Sequence, residues 1–189
     1  MRIKLNNYKL VLNFFWYQTI WFAAVLGGSQ FEMLIIFLLV LHILQVADQK
    51  VELKILALCG GIGISVDSVL TWQGLFVFDP SPTVLPIPLW LMGIWFGFAG
   101  ILRHSLNYIV TRPILAIGAG AFFAPLTYFA AARLGAVTFT LPVSLSAVVI
   151  STVWAALMAL FSMCCLWVER TNHSKQSLLL NTINPAATK

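Results

Sequence analysis

Apolar residues along this chain fall in long blocks separated by short polar breaks, a pattern of membrane spans rather than of half-polar soluble helices. The first block covers about Leu10–Leu26 and ends at the tight turn Gly27-Gly28-Ser29-Gln30. The second, about Phe31–Ala47, is short for a full crossing of a hydrocarbon core about 30 Å thick. The polar stretch from Asp48 to Lys54 predicts a loop that returns the chain into a third span over about Ile55–Phe78. Four prolines in the nine residues Pro80–Pro88 exclude helix interior, because each lacks an amide donor and disfavours helix in the residue before it. A fourth span begins at Leu89 and ends near Arg103 or near Ile109. Arg112-Pro113 breaks the chain before a fifth at about Ile114–Ala132, and a loop from Arg133 to Pro142 precedes a sixth at about Val143–Val168. The prediction is an all-α, polytopic transmembrane bundle of about six helices. Residues 1–170 form a single bundle and 171–189 a polar, loosely ordered cytoplasmic tail.

Composition strengthens this picture. Apolar residues make up 60% of the 189 and charged residues only 9%, against roughly 25% charged in an ordinary soluble domain. The excess must face lipid, and the remaining tails are too small for a soluble catalytic domain. The net charge of +5 forms no dense basic run, which argues against nucleic acid. Its distribution sets orientation instead. Arg2, Lys4, Lys9, Lys50, Lys54, Arg103, Arg112, Arg170, Lys175 and Lys189 fall on one side of the six-helix arrangement, and Arg133 alone on the other. The positive-inside rule therefore puts both termini in the cytoplasm. The basic start and the Gly-Gly-Ser turn imitate a signal peptide. However, Asn13, Gln18 and bulky aromatics interrupt the apolar stretch and another span follows at once, so it reads as a retained first helix. Cys59, Cys164 and Cys165 have no metal-site spacing and read as small hydrophobes inside apolar segments.

Polar groups within the spans carry the chemistry, since each is costly in hydrocarbon unless satisfied. Asp67 lies mid-span and shares a helical face with Gly60, Gly63, Thr71 and Gly74, which turns it into the bundle. It is either a neutral acid holding helices together or a functional carboxyl. Gln18, at midplane in the first helix beside Trp21, is its expected partner. In the fourth span Gly93, Gly97, Gly100, His104 and Asn107 form a stripe, so His104 continues a buried face, whereas Arg103 suits snorkelling to the interface. His42 lies at a similar depth. Two histidines without a third ligand make no metal site, so no metal and no cofactor is assigned. Pro125 should kink the fifth helix beside an inward Tyr128, and Trp90 suits an interfacial aromatic belt. Asp67 and His104 are the candidate catalytic groups; Gln18, Trp21, Asp67, Arg103, His104 and Tyr128 are the candidate ligand-binding set.

Several blocks in order resemble a known family. They are Asn13-x4-Gln18-x2-Trp21-Phe22-x2-Val25, Asp67 with Gly74-x-Phe76-x-Phe78, and Pro88-Leu89-Trp90-x4-Trp95-Phe96. His104-Ser105-Leu106, Gly120-x4-Pro125-Leu126-x-Tyr128 and Leu134-Gly135-Ala136 follow. Together they cover about Asn13 to Pro142 and resemble domain-of-unknown-function family 2878, small multi-pass proteins of the bacterial inner membrane. The resemblance implies an inner-membrane location and a compact helical bundle, with no established reaction. Family members can lie near genes for enzymes that modify fatty-acyl chains.

The sequence itself reveals no reaction, having no nucleophile elbow, zinc-protease pair, P-loop or dinucleotide fingerprint. Three functions remain open. One is handling of a membrane lipid or other amphipathic ligand in an intramembrane polar cavity. Another is non-catalytic assembly or regulation of a membrane-protein partner, and a third is small proton-coupled transport. A polar track from Gln18 and Asp67 to His104 is expected under the first.

Overall fold

A computed structural model describes residues 2–79, 81–82 and 85–183. Pro80, Thr83 and Val84 of the proline-rich loop, and residues 184–189 of the expected tail, lie outside the described residues.

Six helices follow the six apolar blocks. Helix α1 (Arg2–Gly27) and helix α2 (Glu32–Gln45) form a hairpin through a short 3-10 turn in which Gly28 has φ 52°, a conformation that favours glycine. The Trp16 indole N–H closes the hairpin by donating to the Leu38 carbonyl at 3.0 Å. Helix α3 spans Gln49–Trp72 and contains a π-helical turn at Leu56–Gly60. Helices α4 (Leu89–Leu102), α5 (Pro113–Arg133) and α6 (Val143–Ile183) complete the set, with a single helical turn at Asn107–Val110 before α5. Four stretches are long and apolar enough to cross a membrane: Lys9–Gln45, Gln49–Trp72, Pro113–Arg133 and Val143–Asn172. The first of these is folded back as α1 and α2. The chain is a helical membrane protein.

Helix α4 lies at the centre, against α1, α2 and α3, while α5 packs along α6. Glycines set these contacts. A side chain at Gly60 would collide with Phe96, and one at Gly63 with Trp95, so the glycines of α3 admit the rings of α4. Gly93 receives Ile35 of α2, and Gly97 receives Ile20 and Tyr17 of α1. At the end opposite the α2–α3 connection, β1 (Phe76–Val77) pairs antiparallel with β2 (Thr138–Phe139).

Two boundaries depart from expectation. The stretch from Asp48 to Lys54 is not a loop: the Asp48 carboxylate accepts from the Val51 amide at 3.2 Å and caps a helix that starts at Gln49. The fourth helix ends at Leu102 with Arg103 as its cap, the earlier of its two expected ends, and His104 and Asn107 of the expected stripe belong to the turn and the short helical segment beyond it. Chain beyond Glu169, expected to be loosely ordered, continues α6 to Ile183. Gly74 also leaves the face assigned to it, since it forms a turn after α3 with φ 81°.

Candidate functional site

Asp67 is 1% exposed and points toward α4. The Trp95 indole donates to its Oδ2 at 2.8 Å, and the Tyr128 hydroxyl lies 2.8 Å from Oδ2 and 3.0 Å from Oδ1. These partners replace Gln18, which makes no hydrogen bond to Asp67. The carboxyl thus fastens α3 to α4 and α5. It also fixes two aromatic rings: Trp95 stacks on Trp154 of α6 at 5.0 Å, and Tyr128 on Phe76 at 5.3 Å.

In front of those two rings lies a cavity of about 540 Å³. Its walls are α1, through Phe14, Tyr17, Gln18, Trp21 and Val25, and α5, through Ala119, Phe123, Thr127 and Tyr128. Its floor is α4 and α6, through Trp95, Phe98 and Trp154. From Phe14 to Val25 the groove follows α1 for about 16 Å at 1.5 Å per residue. Phe14, Phe123 and Leu126 at its rim are exposed, so it opens sideways from the bundle. The lining is almost wholly apolar. Asp67 stands behind it, screened by Trp95 and Tyr128. Trp90 lines the groove and packs edge-on against Phe78.

A second buried polar cluster occupies the end where α2 meets α3, and its centre is Glu52. This side chain is 0% exposed. His42 Nε2 lies 2.8 Å from its Oε1, while Arg103 Nη1 donates to Oε2 at 2.9 Å and His104 Nε2 lies 3.3 Å from Oε2. Arg103 Nε donates in turn to Glu169 at 2.7 Å. Burial opposes the Arg103 charge, but Glu169 and then Glu52 outweigh it and hold the guanidinium pKa above its usual value. Arg103 is therefore not snorkelling; it joins α3, the end of α4 and α6. Trp16 stacks on His42 at 4.4 Å, and His42 meets His104 edge-on at 5.5 Å. Nearby, Asn13 donates to the Gly100 carbonyl and accepts from the Ser105 amide and hydroxyl, which pins the turn carrying His104 to α1. The ligand atoms of His42, Glu52 and His104 all lie within 4.8 Å of one another.

A family model described as "Protein of unknown function (DUF2878)" matches residues 10–160. The chain belongs to this family. No curated protein and no solved structure matches it. The DUF2878 match contains Asp67, Trp95, Tyr128, His42, Glu52, Arg103 and His104, whereas Glu169 lies beyond it.

The expected polar track is not present. Asp67 and His104 both turn inward, but they belong to separate clusters, and no chain of hydrogen bonds joins them among the described residues. Gln18, Trp21 and Tyr128 border the groove, while Arg103 and His104 belong to the Glu52 cluster. Sequence reasoning missed Glu52 and Trp95. Glu52 lies in a charged stretch that the sequence pattern predicts as a loop, and Trp95 reads as an apolar bulk residue until its indole N–H is given a partner.

Proposed function

We propose that the groove between α1 and α5 holds the hydrocarbon chain of a membrane lipid or of another amphipathic molecule, and that the protein handles this ligand in the bacterial inner membrane with both termini cytoplasmic. One observation carries the reading: an aromatic-lined groove opens sideways along the membrane-spanning helices instead of toward either end. Its volume lies within the usual range of small-molecule pockets, about 300–1,000 Å³. Its length of about 16 Å is close to half of the about 30 Å hydrocarbon core, which suits one chain of one leaflet. Asp67 supports the ligand indirectly by fixing the rings of Trp95 and Tyr128 that form the groove's back wall. Separation of the two polar clusters weighs against proton-coupled transport, which needs a continuous route for the proton.

Native mass spectrometry of the detergent-purified protein provides the test. Wild type is expected to retain a lipid adduct. Ala119→Trp, which fills the groove, should lose it. Ile117→Trp, on an exposed position of the same helix outside the groove lining, should keep it. Retention of the same adduct by all three would contradict the reading. Co-purification of a stoichiometric protein in place of lipid would favour an assembly role.

A further inference from the structure

We propose that His42, Glu52 and His104 form a binding site for a divalent first-row transition metal. Three separate parts of the fold supply the ligands: the last turn of α2, the first turn of α3 and the turn after α4. Both imidazoles present Nε2 to the same carboxylate, and the three ligand atoms fall within 4.8 Å of one another. Ligands about 2.0–2.2 Å from a common metal must lie no farther apart than twice that distance, so only small side-chain movements are needed.

Charge supports a cation here. Arg103 is shared between Glu52 and Glu169, so this ion-pair set contains two carboxylates and one guanidinium. One negative charge remains, and the other partners of Glu52 are imidazoles. Burying such a charge is costly unless it is neutralised, either by a proton on a histidine or by a metal that both histidines ligate. A metal takes the imidazoles as neutral ligands and leaves Arg103 on Oε2, where it holds the carboxylate as an outer partner. Two nitrogens and one carboxylate select Zn2+, Fe2+ or a related ion over Mg2+ and Ca2+, which prefer oxygen donors. His42 and Glu52 are buried, whereas His104 is 31% exposed, so entry is from the His104 side. Three protein ligands leave a coordination position for water or another ligand.

The test uses the full-length protein without a histidine tag, stripped with chelator and titrated with Co2+ as a spectroscopic probe, then with Zn2+. One Co2+ per chain is expected, with d–d bands of mixed nitrogen–oxygen coordination, displaced by Zn2+ and not by Mg2+. His104→Ala and Glu52→Gln should each weaken binding by at least about tenfold, since even outer partners of a metal site contribute about 10–100-fold. Because Glu52 also holds α3 to Arg103, Glu52→Gln is read only if it keeps the wild-type melting profile without metal. The wild-type titration needs no variant. Absence of one-to-one Co2+ binding to the wild type would overturn the proposal. So would full retention of the bands in His104→Ala.

Discussion

At the scale of single residues, the two acids inside the bundle act through donors on other helices. Asp67 accepts from Trp95, which can only donate, and from Tyr128, whose hydroxyl can reverse. Asparagine keeps an oxygen for the indole and offers its amide to the tyrosine oxygen. Asp67→Asn is therefore expected to melt close to wild type in detergent. Asp67→Leu leaves the indole N–H buried without an acceptor and should cost about 1–3 kcal/mol. Equal melting of the two variants would show that these hydrogen bonds do not hold α3 to α4. The inward direction of Asp67 was legible from Gly60 and Gly63 at helical spacing, but its partners were not. A tryptophan counts as apolar in any hydropathy pattern, whereas Gln18 is the visibly polar group at the depth of Asp67. Glu52 was legible in principle: Val51, Ile55 and Cys59 continue a buried helical face through it. The charges of Asp48–Lys54 mask that phase in a hydropathy pattern.

At the scale of elements, α3 carries both acids on the side facing α4 although they are fifteen residues apart. An uninterrupted α-helix would rotate one about 60° from the other. The wider turn at Leu56–Gly60 absorbs part of this offset, in keeping with the frequent placement of π turns at functional positions. Just beyond it, Gly63 sits under the Trp95 ring, whereas a side chain at Gly61 would meet nothing within 4 Å. Gly63→Ala should thus lower stability by about 1–3 kcal/mol through overpacking. Gly61→Ala should be neutral or stabilising by up to about 1 kcal/mol, because alanine favours helix. Thermal unfolding of the two variants side by side checks the α3–α4 packing, and equal destabilisation would contradict it. The sequence predicted helix number well because long apolar blocks leave no other structure in lipid. It placed the start of α3 poorly, because the charged stretch after the Asp48 cap is helical, and it left two ends open for α4, of which the earlier is found where Asn13 of α1 holds Ser105.

At the scale of the molecule, the Glu52 cluster and the β1–β2 pair mark opposite ends, and the groove runs along the side between them. In the proposed orientation, with both termini cytoplasmic, the Glu52 end faces the cytoplasm. Single cysteines at Gln49 and Ser174 should then react with an impermeant maleimide only after cell lysis. Those at Gln30, Ser81 and Thr138 should react in spheroplasts, and labelling of Gln49 from outside would reverse the orientation. The groove was the least legible feature of all, because a cavity is a property of helix arrangement, and its lining of Phe, Trp and Ala is indistinguishable in sequence from packed core. Its occupancy can be tested directly with a phospholipid carrying a photoreactive group on one acyl chain, crosslinked to the wild-type protein in membranes and mapped by peptide mass spectrometry. Adducts are expected to concentrate on Phe14, Tyr17 and Trp21 of α1 and on Phe123 and Thr127 of α5, above those on the exposed Phe15, Phe22 and Phe122 beside them. Adducts spread equally over both sets of residues would show that lipid meets this protein only at its outer surface, and would contradict the proposal.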